Sequence, residues 1–130
     1  MVKQFWAFEQ IRFSSEKALK VWQNAWAQPD FVRGWLLEFE SQVAGYAVLT
    51  FGFSLEYGGI DAYIDELFVK PEFRGRGFAA QALGFLTLEC QKLNVVALHL
   101  EVDADNETAK SVYAKSGFKT TKRELLNKTL

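Results

Sequence analysis

The stretch FVKPEFRGRGFAAQAL, Phe68 to Leu83, carries an apolar strand into a proline, through Arg74-Gly75-Arg76-Gly77, and directly into an alanine-rich helix. A strand that enters a helix this way leaves the first N–H groups of the helix unpaired and converging, and the helix dipole adds positive potential there. Gly75 and Gly77 let the backbone close around an anion, because a Cβ at either position would stand between the N–H groups and the ligand. Arg74 and Arg76 add charge-assisted contacts. A phosphate held by the amides of Arg74 through Ala79 is the expectation.

Two other phosphate sites compete for the same residues. A nucleoside-triphosphate loop needs Gly-Lys-Ser/Thr at its end, and no Lys-Ser or Lys-Thr follows these glycines. Gly75-x-Gly77-x-x-Ala80 does match the dinucleotide fingerprint, and Glu101 stands near the end of the next strand. That fold joins its strand directly to the first glycine, whereas Lys70-Pro71-Glu72-Phe73-Arg74 intervenes here. Its sheet is also parallel from the start, while this chain spends much of its first half on a helix and a hairpin.

The 130 residues, 49% apolar and 15% aromatic, suffice for one core and read as one domain over 1–130. A net charge of −1 leaves no basic surplus for nucleic acid. The one cysteine, Cys90, and the one histidine, His99, provide neither an internal disulfide nor zinc spacing, so no metal is expected. No signal peptide or membrane span is read in the chain, and a cytoplasmic location is the expectation.

Along the chain, KQFWAFEQIRF alternates as an opening strand. SSEKALKVWQNAWAQPD reads as a helix capped by Ser14 or Ser15 and stopped at Pro29, with Ala18, Val21, Trp22, Ala25 and Trp26 on one face. GWLLEFESQVAGYAVLTFGFSL reads as a hairpin turning at Glu40-Ser41-Gln42, and EYGGIDA as a loop. YIDELFV is a short strand ended by Lys70-Pro71. A helix from about Gly77 to Leu93 buries Ala79, Ala82, Leu83, Leu86, Cys90 and Leu93, and Gly84 inside it marks a close backbone approach. VVALHLEV reads as a strand covered on both faces. DNETAKSVYAKSG is a helix capped by Asp105 or Asn106 and stopped by Gly117, and FKTTKRELLNKTL supplies a final strand or two. This order indicates an α/β or α+β sandwich with a mixed sheet.

VKPEFRGRGFA resembles the acyl-CoA signature of the GCN5-related N-acetyltransferases, [QR]-x-x-G-x-[GA], met by Arg74, Gly77 and Ala79. Downstream, LEVDADNETAKSVYAKSGFK is similar to the family segment N-x-x-A-x-x-x-Y-x-x-x-G-F, carried by Asn106, Ala109, Tyr113, Gly117 and Phe118. The resemblance is good from Tyr63 to Phe118; before it, one helix stands where the family often has two. It implies a GNAT-like mixed, mostly antiparallel central sheet flanked by helices on both faces.

It also implies acetyl transfer from the cosubstrate acetyl-CoA to a primary amine by direct attack in a ternary complex. The diphosphate would sit on Arg74, Gly75, Arg76, Gly77, Phe78 and Ala79. The pantetheine arm would lie along ELFV, with the thioester carbonyl near the N–H of Phe68 or Val69. Asn106 would hold the arm or cap its helix. Tyr113 would protonate the departing thiolate, a phenol near about 10 donating to a thiol near about 8.5. Glu66, with Asp61 and Asp65 close by, is the candidate base, a water chain being the alternative. Three carboxylates and no cation in GGIDAYIDEL point to a cationic acceptor amine.

Each residue also has a plainer reading: the glycines as a tight connection, the arginines as solvated charges, Tyr113 as core, Glu66 as a solvated or paired carboxylate, Asn106 as a cap alone. A protein that keeps the cradle and only senses acyl-CoA is the alternative function. The aromatic-rich first half is compatible with a homodimer. Nothing in the chain identifies the acceptor.

Overall fold

The computed structural model describes residues 15–130, so the opening strand expected over residues 3–13 lies outside the described residues, as does Ser14. Helix α1 (Ser15–Trp26) is followed by β1 (Val32–Phe39), β2 (Gln42–Ser54) and β3 (Gly59–Val69). A 3-10 turn (Pro71–Phe73), α2 (Phe78–Lys92), β4 (Ala97–His99) and α3 (Glu107–Lys115) complete the regular structure. The four strands form one sheet in the order β1-β2-β3-β4, antiparallel except where β4 joins β3 in parallel.

Alternation along the strands gives the sheet two apolar faces. Ala47 and Leu49 of β2 and Ala62 and Ile64 of β3 meet Leu83, Leu86 and Cys90 of α2, with Val112 and Tyr113 of α3 packed on the same cluster. On the opposite face Tyr46, Val48 and Phe68 meet Ala18 and Trp22 of α1. Helices therefore cover both faces, as expected. The inward stripe of α1 is narrower than its pattern suggests. Trp22 packs edge-on to Tyr46 at 6.1 Å, whereas Val21 and Trp26 are 46% and 62% exposed. A side chain at Gly34 of β1 would meet the rings of both tryptophans.

The β1–β2 hairpin turns on Glu40 and Ser41, both at positive φ (48° and 63°), the backbone twist that two-residue hairpins require. EYGGIDA is less of a loop than its composition implies. Gly58 takes φ 75°, its N–H donates to the Ser54 carbonyl, and β3 begins at Gly59, making the strand 11 residues long. β3 carries a bulge, since Val48 pairs Glu66 and Leu49 pairs Ile64, leaving Asp65 extra.

Three further expectations are corrected. VVALHLEV pairs over three residues only, ends at Tyr63↔His99, and is half-buried there. Residues 118–130 form no strand, although Arg123 makes a two-point ion pair with Glu56 at 2.7 and 3.0 Å. Gly84 is exposed, and a Cβ there would meet nothing within 4 Å, so no close approach explains it.

Candidate functional site

The end of β3 is pinned before the chain turns. The Lys70 N–H donates to the Ala44 carbonyl at 2.8 Å, and the Phe73 N–H to the Lys70 carbonyl at 2.9 Å. Buried Phe73 packs near Phe39 and Phe78, whose rings lie 4.8 Å apart, so an aromatic trio anchors both sides of the glycine turn. Gly75 and Gly77 both take the left-handed conformation, φ 73° and 79°, and a Cβ on either would meet no atom within 4 Å.

Gly77 is the N-cap of α2 and offers no side chain to its first turn; the first intrahelical bond runs from the Gln81 N–H to the Gly77 carbonyl. Among the described residues, the amides of Gly75, Arg76, Gly77, Phe78 and Ala79 donate to no backbone carbonyl. The Arg74 amide does, to Pro71 at 3.2 Å. The open run of donors thus starts one residue later than expected.

The two arginines differ. Arg74 folds back, its Nε donating to the Val69 carbonyl at 2.9 Å and its guanidinium lying over the Phe68 ring. It ties the turn to the strand. Arg76 is exposed and makes no hydrogen bond or ion pair among the described residues.

Beside this turn the sheet forks. β3 runs on to Val69, but its pairing with β4 stops at Tyr63, so residues 64–69 have no strand on that side among the described residues. Asn106, half-buried at the head of α3, accepts the Ala109 N–H at 3.1 Å on its side-chain oxygen. That confirms the cap and leaves the amide NH₂ for other contacts. Tyr113 is half-buried, edge-on to Phe118 at 6.1 Å, on the α2–α3 side of the sheet.

The carboxylates of β3 do not converge. Glu66 lies on the α1 side against Tyr46, whose buried phenol is pushed far up by desolvation and then by its hydrogen bond with Glu66. Asp65, at the bulge, has its carboxyl raised by partial burial despite an exposed surface. Asp61 instead meets His99, Oδ2 to Nε2 at 3.4 Å. Burial raises the Cys90 thiol, which suits its place in the core.

Sequence reasoning missed Tyr46 and Gly45. A Cβ on Gly45 would come within 2.0 Å of the Phe68 carbonyl oxygen, so glycine there is what lets β2 pass the end of β3. A glycine inside an otherwise apolar strand pattern was the available signal. A cavity of about 280 Å³, walled by Trp35, Leu37, Glu38, Val69, Phe78, Gln81 and Phe85, lies between β1 and α2 and reaches the end of β3.

A strand leading through an open glycine turn to a helix, beside a forked sheet, is the frame of an acyltransferase. A profile of the acetyltransferase (GNAT) family matches residues 1–118, and the chain belongs to that family. It is 34% identical over 61 residues to the uncharacterized N-acetyltransferase YycN of Bacillus subtilis, a match spanning 47% of this chain and 39% of that protein. An integron cassette protein from the mobile metagenome of Cole Harbour Salt Marsh superposes with a TM-score of 0.85 at 34% identity, over 98% of this chain and 78% of that one. A predicted acetyltransferase from Clostridium acetobutylicum, solved with acetyl-CoA, gives 0.76 at 23% identity, over 97% and 84%. Among the described residues, no helix is long and apolar enough to cross a membrane.

Proposed function

We propose that this chain transfers an acetyl group from acetyl-CoA to a primary, cationic amine by direct attack within a ternary complex. The observation that carries the reading is the row of amides from Gly75 to Ala79, open to a ligand at a helix N-terminus and adjoining a fork in the sheet. Acetyl-CoA bound to a family member of the same fold supports that choice of donor.

In this reading the amides of Gly75–Ala79, with Arg76, receive the diphosphate, and Arg74 sets the turn against Val69. The pantetheine arm lies in the fork along residues 64–69, with Asn106 at its far wall. The N–H of Phe68 or Val69 steadies the thioester oxygen as negative charge develops there. Holding amine and thioester in line supplies most of the acceleration, so no covalent nucleophile is needed. Glu66 meets the incoming ammonium and takes its proton, with Tyr46 holding the carboxylate in place. Tyr113 gives a proton to the departing sulfur. The carboxylates along β3 favour a positively charged acceptor, and the reduced, buried Cys90 suits a cytoplasmic setting.

The test is thiol release from acetyl-CoA across a panel of amines, with cofactor affinity measured in parallel by calorimetry. Turnover of at least one amine class is expected. Tight binding of acetyl-CoA without turnover of any amine would favour a sensor, and absence of binding would overturn the whole reading.

A further inference from the structure

His99 is the last paired residue before β3 and β4 separate. Whatever lies in the fork, coming down from the glycine turn, therefore ends at its level. It is the only histidine in the chain. Its side chain is 23% exposed and that of Asp61 17%, with Nε2 of the ring 3.4 Å from Asp61 Oδ2. Tyr63 and Tyr57 flank the imidazole at 4.9 and 5.2 Å between ring centres.

Strand alternation puts this group on the side where the acceptor is needed. Ala62 and Ile64 face the α2 core, so Asp61 and Tyr63 take the other face, the one that carries Glu66 and Tyr46. Tyr63 pairs Thr50 and Glu66 pairs Val48, so their levels differ by two residues of β2. With one strand spacing across, the backbones of His99 and Glu66 lie about 8 Å apart, a span that a water bridges between the side chains.

Acetylating an ammonium strips two protons from nitrogen and returns one to sulfur, so one proton leaves the site at every turnover. Glu66, half-buried against Tyr46, must pass its proton on before it can act again. We infer that His99, oriented by Asp61, is the outlet for that proton; this rests on the N-acetyltransferase reading above. The proton accepted by Glu66 crosses a water to Nδ1, the ring nitrogen turned from Asp61, and leaves from the imidazolium to solvent. The amine lone pair meanwhile forms the C–N bond and the C–S bond breaks. Sulfur takes a proton from Tyr113, and the second proton of the nitrogen replaces it.

Among the described residues, the charged and titratable groups around the ring are Asp61 and Tyr63 from β3, Glu56 and Tyr57 from the β2–β3 turn, and Arg123, which is bound to Glu56. Asp61 is the carboxylate in contact with the ring. It holds the imidazole as a positioning residue.

The experiment compares the wild-type chain with His99→Ala on an amine the wild type acetylates. His99→Ala is expected to lower kcat about tenfold or more, with acetyl-CoA affinity by calorimetry unchanged. Added imidazole should restore the rate in proportion to its concentration, while an equal ionic strength of sodium chloride should not. Asp61→Asn, which keeps the ring, should lose less and gain nothing from imidazole, whose place is still filled. If His99→Ala does not fold, His99→Gln takes its place in the same titration. A full-rate variant, or a loss that imidazole leaves untouched, would overturn the outlet while leaving N-acetyl transfer standing. A wild type that binds CoA and acetylates nothing would remove the parent reading itself.

Discussion

With φ at 79° and no atom within 4 Å of where its side chain would start, Gly77 is closed to a β-branched residue by its own backbone and open to a ligand by its surroundings. Gly77→Val should cost about 1–2 kcal/mol of stability through left-handed strain and remove acetyl-CoA binding; unchanged affinity by calorimetry would count against the amide cup. Tyr113→Phe keeps the ring on Phe118 and removes the hydroxyl. It should therefore lower turnover by about 10²-fold or more with little change in cofactor affinity, and a full-rate variant would return Tyr113 to a packing role. Glu56 offers a pH test read from stability alone, with no turnover measurement. Its hydrogen bonds to Arg123, and then the charge, hold its carboxyl below the ordinary value. A depressed carboxylate contributes stability above its unfolded value and loses it as pH falls through the lowered one. Both partners are exposed, so Glu56→Gln should lower the melting temperature by only about a degree at pH 7. The difference should shrink as pH falls through that lowered value; one that persisted in acid below it would contradict the ion-pair account.

Elements were read most accurately where their ends carry their own chemistry. Gly77 and Leu93, expected as the limits of α2, are its N-cap and C-cap, and Asn106 caps α3 with its side-chain oxygen. Gly117, at φ 93°, turns the chain left-handed just beyond that helix. Pattern was weaker where partners decide. The stripe on α1 includes Trp26, yet only Ala18, Trp22 and Ala25 are drawn in, because the sheet beneath offers one narrow cluster around Tyr46. Asp65 looked like one member of an alternating strand and is instead the extra residue of a bulge, a matter of register with β2 that no single strand encodes. Gly84 belongs to this scale: exposed, helical and with room for a Cβ, it weakens α2 to no visible purpose. Gly84→Ala should stabilise the protein by about 0.5–1 kcal/mol, read as a higher midpoint in urea at unchanged slope. A loss of stability would mean that a contact forms there after all.

At the scale of the molecule, the pairing of β3 with β4 stops at Tyr63↔His99, and a ligand that bridges the fork beyond it should tie the α2–α3 side to the sheet edge. Acetyl-CoA at about 100 times its dissociation constant should add about 2.7 kcal/mol, seen as a rise of several degrees in melting temperature. No shift would argue that the fork and turn do not receive it. The order of elements, the glycine turn and the second helix with its cap and stop were all legible in the chain, because each depends on residues within a few positions of one another. The length of β3, the brevity of β4 and the absence of a strand after Phe118 were not, because pairing depends on which edge remains available once the sheet has formed. The candidate site divides along the same line. Local backbone chemistry at Arg74–Ala79 makes an anion cup the expectation from the sequence alone. Only the folded sheet brings Tyr46 to Glu66 and Asp61 to His99, pairs separated by 20 and 38 positions, whose meeting depends on strand register and burial that no local stretch contains.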